Sequence, residues 1–415
     1  MKAETDESGP GPAASLHVVG AGLAGLAAAL EAAARGHAVT LHEATGFAGG
    51  RARALPDGGD NGTHVLLGAN TAALDFLDAI GARSGWVEPE PAGLPVFDLE
   101  SGALRQVALD ARHWRDPARR PPGLTGAGFL ALARAGLPFR DGTVAQAFRG
   151  HPALLRGFVE PLVLAALNTP VAEAGLSWLG PVLRRLAAPG AGRLFVARAG
   201  LGPDLVQPAL AALGRQGVRL RLGHRLRGIE RQGRHATALV FGDGAVPLGR
   251  GSAAILALPP WEAARLLPGL AVPPMHAPIM NMHFQHDGAD SLRFVGLLGG
   301  AAQWLLLRPG TASVTISAAL RQSGESLVPQ VWAEIRRAAL AAALPGEWPE
   351  APPPCRLVRE QRATPLHGVE RSGPPPLRPL HHLALAGDWM GPPLPATLEA
   401  AVRSGRRAAR AFGHA

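Results

Sequence analysis

The chain has 415 residues, 47% of them hydrophobic, enough to fill a substantial core shared between two connected domains. Its one cysteine, Cys355, excludes an internal disulfide framework and any cysteine-rich zinc or iron–sulfur centre. The net charge of +9 comes from scattered arginines with no interleaved aromatic stripe and no tyrosine, so the footprint of a nucleic-acid binder is absent.

Residues 1–13 are polar, acidic and rich in Gly and Pro, and read as a disordered tail rather than a signal peptide. The longest apolar runs, 18–30 and 295–307, fall short of the roughly 18 residues of a membrane span. A cytoplasmic, reducing location is therefore expected.

After the tail, 16–19 reads as a short buried strand. It runs into Gly20-Ala21-Gly22-Leu23-Ala24-Gly25 and an alanine-rich helix over 26–34. This is the GxGxxG pattern in its strand–turn–helix context. Gly20 permits the tight turn, Gly22 lets a pyrophosphate approach the helix N-terminus, and Gly25 lets the helix lie close on the sheet. Gly36 ends the helix and Ala38–His42 forms the second strand. Glu43 follows it, where a carboxylate accepts bonds from ribose hydroxyls. These features predict a dinucleotide site without separating FAD from NAD.

The continuation separates them. Gly49-Gly50-Arg51 resembles flavoproteins of the amine oxidase and phytoene desaturase superfamily, a likeness that implies an FAD pyrophosphate wrapped by Gly50 and Arg51. Leu383-Ala384-Leu385-Ala386-Gly387-Asp388 matches the second FAD signature, with Gly387 and Asp388 at the ribitol or pyrophosphate side. Pro395-Ala396-Thr397 opens a helix over 398–412 whose positive end would face the flavin pyrimidine. In the middle, 217–221 and 226–230 look like strands, and 252–260 reads as a buried strand ending in Pro-Pro. The resemblance places the Leu226 backbone near adenine.

The expected fold is therefore α/β: a Rossmann-like FAD-binding domain of amine oxidase type from 14–90, 190–260 and 355–415. An α+β substrate domain from 91–189 and 261–354 is inserted into it.

A narrower resemblance covers most of the chain. Asp60-Asn61-Gly62-Thr63-His64, Glu160-Pro161-Leu162, Ala165-Ala166-Leu167-Asn168-Thr169-Pro170, Gln303-Trp304, Arg359-Glu360, Arg362-Ala363-Thr364 and Ala386-Gly387-Asp388-Trp389 resemble the bacterial hydroxysqualene dehydroxylases. So does Leu394-Pro395-Ala396-Thr397-Leu398-Glu399 with Val402-Arg403-Ser404-Gly405. Thr63 stands in place of the family's usual Gln, Asn70 in place of an aromatic, and Met390-Gly391-Pro392-Pro393 in place of its Thr-x-Thr-Gly-like turn.

The resemblance implies non-covalent FAD, an isoprenoid substrate, an external electron donor and reductive removal of an allylic hydroxyl. Such a step needs an acid to protonate the leaving oxygen, and a dry cavity to keep water from the cation. His64, in the loop Gly62-Thr63-His64 that passes along the flavin in the superfamily, is the first candidate acid. Asp60 is the second, as an orienter of His64 or a proton source. Asn168, Trp304 and Trp389 are candidate substrate contacts, although each reads equally as a buried structural residue. The apolar stretches 158–167, 178–186, 279–284 and 295–307 are first of all core, and secondarily tunnel wall.

An amine oxidase is disfavoured, because the sole lysine is Lys2 and no tyrosine is present to build an aromatic cage. A carotenoid-type desaturase or isomerase stays open as the alternative, as does a catalytically silent flavin-binding partner of isoprenoid synthases. The segment 129–140, apolar with flanking arginines, is expected to make transient contact with a membrane surface.

Overall fold

The computed structural model describes residues 14–55, 59–138, 140–288, 290, 292–319, 324–370, 373–391 and 393–415. The expected tail over 1–13 lies outside these. Five parallel strands lie in the order Leu383–Leu385, Ser252–Leu256, Ser15–Val19, Ala38–His42 and Arg219–Arg221. The inner strands are short apolar runs because both faces of a parallel sheet are covered. Ser15–Val19 sits in the middle and delivers the glycine-rich turn at its C-terminal edge, where ligands of open α/β sheets bind.

Helix Leu23–Ala34 leaves that turn and packs against helix Leu398–Arg410. The two backbones approach closely: a Cβ on Gly405 would meet the Ala24 carbonyl oxygen at 2.1 Å. Alanine and glycine therefore line this crossing. The two chain ends are joined there, far apart in sequence and adjacent in space.

A second sheet of seven strands has the order Cys355–Pro365, His276–Gln285, Thr311–Ile316, Trp304–Arg308, Arg293–Leu298, Leu94–Asp98 and Leu104–Val107. It is antiparallel except where Arg293–Leu298 runs beside Leu94–Asp98. The sheet draws residues from 91–189, from 261–354 and also from the first part of 355–415, since Cys355–Pro365 pairs along His276–Gln285.

The apolar run 295–307 is resolved by this sheet into the adjacent strands Arg293–Leu298 and Trp304–Arg308. Val295, Leu297, Leu305 and Leu307 enter the core beneath helix Val328–Ala341 with Trp332. Phe294, Leu298 and Leu306 enter the opposite core with Phe148, Phe158 and Leu179. Period-two alternation between two dry faces makes a continuous apolar run. Two three-stranded sheets complete the fold. One joins Val65–Leu67, Leu194–Ala197 and Trp86–Val87, and the other is the meander Gly228–Gln232, His235–Phe241 and Gly244–Pro247. Among the described residues, no helix is long and apolar enough to cross a membrane.

Candidate active site

The glycine turn has the shape an anion cradle requires. Gly20 has φ +102°, and a Cβ there would lie 2.4 Å from the Ala257 carbonyl oxygen. Helix Leu23–Ala34 begins after Gly22 with no side-chain cap and no acidic residue in its first turn, so its leading N–H groups are open to a phosphate. Gly22 pairs with Gly49 in an isolated bridge, and the Gly49 N–H donates to the Ala21 carbonyl at 2.8 Å. The two glycine loops thus lie side by side, with Gly50 against Gly22. Glu43 accepts from the Ala21 N–H at 2.9 Å through one oxygen and from Thr45 through the other. Leu226 is buried in the core of the meander.

The far end of the chain closes the cradle. Arg51 donates to Asp388 at 2.7 Å and also to the carbonyl of Ala363, and Asp388 is nearly buried. Burial opposes the guanidinium charge, but Asp388 and then Glu360 hold its pKa above the ordinary value. The Gly387 N–H donates to Ser404 Oγ at 3.0 Å, which fixes the Gly-Asp turn on the last helix. Thr397 caps that helix by accepting from the Ala400 N–H at 3.2 Å, with Pro395 and Ala396 buried beside it.

The loop 60–64 is anchored from several directions. Asp60 accepts from the Leu201 N–H at 2.7 Å and forms an ion pair with Arg308 at 2.8 Å, and both side chains are largely buried. Asn61 donates to the Arg51 carbonyl at 3.2 Å and its own carbonyl accepts from Asn281 at 3.3 Å. Gly62 packs against that Asn281 amide, where a Cβ would approach to 2.8 Å. Half-buried His64 directs Nδ1 to the Gly62 carbonyl at 3.1 Å, which places the proton on Nδ1 and makes Nε2 the acceptor. Burial lowers its pKa, with the Gly62 carbonyl and the Asp60 charge opposing. Thr63, also half-buried, lies between Gly62 and His64.

The donor set fits a flavin dinucleotide: a bare helix N-terminus and Arg51 for phosphates, Glu43 for ribose hydroxyls, and a capped helix start at Thr397. A model of the flavin containing amine oxidoreductase family matches residues 23–289. The chain belongs to this family. The family member is 37% identical to the hydroxysqualene dehydroxylase of Sinorhizobium fredii over 95% of this chain and 97% of the relative. It is equally 37% identical to that of Rhodopseudomonas palustris, with the same coverage. Cyclohexylamine oxidase from Brevibacterium oxydans shares the fold, with a TM-score of 0.67 at 16% identity over 97% of this chain and 99% of the other. The protein is an FAD-dependent oxidoreductase.

The remaining candidate residues of this oxidoreductase occupy varied settings. Asn168 ends helix Glu160–Leu167 in the left-handed region, at φ 47°. It donates to the Ala277 carbonyl at 3.2 Å and to Thr364 at 3.1 Å, and accepts from the Ala318 N–H at 2.7 Å. Its amide therefore ties three segments together. Trp304 stacks on Phe294 with ring centroids 5.9 Å apart. Trp389 is buried among Leu226, Phe241 and Met390 and donates to the Leu258 carbonyl at 2.9 Å. At the departures from the family pattern, Asn70 accepts from the Leu67 N–H at 2.7 Å and Met390 is buried in the meander core. Pro392 lies outside the described residues.

Sequence reasoning missed Arg308, Asn281, Arg185 and His367. Arg308 and Asn281 fasten the loop 60–64, while Arg185 pairs at 2.7 Å with Glu399, a carboxylate only 1% exposed in the first turn of the last helix. None belongs to a short motif. The only available signal was a polar residue set in an apolar strand, as in the Trp304–Arg308 and His276–Gln285 runs.

Proposed function

We infer that this FAD-dependent oxidoreductase removes the allylic hydroxyl of hydroxysqualene reductively to give squalene. The observation that carries the reading is likeness to hydroxysqualene dehydroxylases over nearly the whole of both chains, supported by the glycine turn and the Arg51–Asp388 pair. An isoprenoid substrate follows, together with an external donor of two electrons per turnover.

Reduced FAD, when bound, supplies the hydride. The overall change takes an alcohol, a proton and a hydride to a hydrocarbon and water. The chain's own task is to hold the cofactor, to deliver the proton to the leaving oxygen and to keep bulk water from the allylic cation. Gly20, Ala21, Gly22 and Gly25 with Gly50 and Arg51 hold the pyrophosphate, Glu43 the ribose, Leu226 the adenine side, and Gly387 with Asp388 the ribitol side. Gly62 and Thr63 line the flavin, and the turn Pro395-Ala396-Thr397 presents its helix N-terminus to the pyrimidine.

His64 is the proton donor in this reading. Its Nδ1–H stays on the Gly62 carbonyl while Nε2 takes up a proton and passes it on. Burial depresses its pKa, which makes the charged form rarer and a stronger acid once formed. Asp60, committed to Arg308 and Leu201, acts by holding the loop and by its negative charge near His64. Trp304, stacked on Phe294, remains the candidate substrate contact, whereas Trp389 in the meander core and Asn168 with its amide fully engaged serve the scaffold.

The substrate also implies a membrane visit. Phe129 and Leu130 on helix Gly126–Ala135 are about half exposed, as is Leu137 beyond it, with Arg134 exposed beside them. An apolar ridge with a cation suits the interface of an anionic bilayer. Flotation with vesicles containing anionic lipid tests this contact; no association would remove it.

Anaerobic single turnover tests the activity. The flavoprotein is photoreduced and mixed with hydroxysqualene, and flavin absorbance and product are followed. Reoxidation with squalene formed is the expected result. Reduction of the oxidised enzyme by phytoene, with no response to hydroxysqualene, would replace this reading with a desaturase.

A further inference from the structure

His367 belongs to no motif in the sequence and is buried at 3% exposure. Its backbone is held by the inserted half of the chain. The His367 N–H donates to Thr169 Oγ1 at 3.1 Å, and its carbonyl accepts from the Gly175 N–H at 2.8 Å. The ring meets Trp178 edge-on, with centroids 4.9 Å apart. Nδ1 lies 2.8 Å from the Leu167 carbonyl, whose oxygen also accepts from Thr169 Oγ1.

The other ring nitrogen reaches across to the flavin-binding half. Nε2 accepts from the Ala396 N–H at 3.0 Å. A carbonyl partner requires a proton on Nδ1, and an amide N–H partner requires a lone pair on Nε2. Only the neutral Nδ1–H tautomer satisfies both. Ala396 sits immediately before Thr397, the cap of helix Leu398–Arg410. The imidazole is thus a bridge between Leu167, at the end of helix Glu160–Leu167, and the turn that aims the last helix.

We propose that His367 is a positioning residue for the flavin: its neutral imidazole holds the Pro395-Ala396-Thr397 turn so that the helix N-terminus keeps its aim at the pyrimidine. This rests on the reading that the turn faces the flavin, and not on which isoprenoid is turned over. A helix N-terminus stabilises added negative charge only within its first turn, so a small displacement of the cap weakens its effect on the reduced cofactor. An anchor on the inserted half also makes the cap sensitive to how the two halves are seated.

The test uses FAD-loaded enzyme without substrate. His367→Phe keeps a ring against Trp178 and removes both bonds; His367→Gln retains one donor and one acceptor. The Phe variant is expected to hold the reduced flavin about tenfold less favourably relative to the oxidised form. That is a midpoint about 30 mV more negative for a two-electron couple. The flavin absorption band should shift with it, and the Gln variant should recover most of both changes. An unchanged midpoint and spectrum in a folded, FAD-replete Phe variant would overturn the proposal. Should that variant not fold, nitrogen NMR of the parent holoenzyme decides: the neutral Nδ1–H form supports the bridge, and the Nε2–H form or imidazolium overturns it. Hydroxysqualene turnover does not enter these measurements, so failure here leaves the proposed reaction to be judged separately.

Discussion

Arg51 and Asp388 are 337 positions apart and meet at 2.7 Å, so one residue from each end of the chain joins in a single contact. The pair does two jobs: it joins the glycine loops to the final strand–helix turn, and it sets a cation where the pyrophosphate is expected. Arg51→Ala should weaken FAD binding about tenfold or more, the scale of a lost charge-assisted hydrogen bond. Equilibrium titration of the apoprotein with FAD measures it. Binding at parental strength would show that Arg51 does not hold the cofactor.

The Asp60–Arg308 pair makes a different demand. Both side chains are largely buried, so removal of the carboxylate strands a cation in the interior. Asp60→Ala is expected to cost about 3–5 kcal/mol of stability, whereas the joint change Asp60→Leu with Arg308→Met should cost much less. Denaturant unfolding of the FAD-loaded proteins distinguishes the two. Equal losses in both variants would mean that packing, and not charge pairing, dominates at this position.

For His64, the substitution His64→Gln should leave FAD bound and lower single-turnover dehydroxylation by about 100-fold or more, the usual scale of a general acid. Full parental turnover would exclude His64 as the obligatory proton donor. Because burial depresses its pKa, turnover limited by its charged form should rise as pH falls toward that depressed value.

A histidine chain centred on buried His42 is expected to weaken the fold as pH falls. His17 Nδ1 lies 3.2 Å from His42 Nε2, His42 Nδ1 lies 2.9 Å from His224 Nδ1, and His224 Nε2 lies 2.7 Å from Asp243. Burial, then His17 and His224, push the pKa of His42 down to about 3. The unfolded chain takes up a proton below about 6.5 that the folded protein refuses. The contribution of His42 is therefore complete above about 6.5 and is lost on descent toward 3. Between pH 7.5 and 5 the loss should be about 2 kcal/mol from this group. Urea unfolding at both values, in the parent and in His42→Leu, isolates it. An identical pH dependence in the two proteins would rule out His42 as the source.

Much of the local geometry around the glycine turn was legible in the sequence. The spacing Gly20, Gly22, Gly25 and the carboxylate of Glu43 are demands that a local backbone turn makes on residues within one strand–helix–strand unit. Helix bounds followed closely as well, with 398–412 expected and Leu398–Arg410 found. The strand Cys355–Pro365 was less legible. Its sequence does not reveal which sheet it joins, and the choice fell to the partner strand His276–Gln285.

The sequence by itself determined the glycine turn of Gly20, Gly22 and Gly25 with Glu43 after the next strand, because a tight strand–helix turn restricts residue type at fixed short intervals; the family was indicated by resemblance of motifs along the chain. Only the tertiary structure decided that Asp60 belongs to Arg308, that the Asn168 amide is spent on three backbone and hydroxyl partners, and that His367 bridges Leu167 to Ala396. The physical reason is that a buried polar group must find a partner among whatever the fold brings beside it. For Asp60 that partner lies 248 positions away, and no local pattern encodes such a distance.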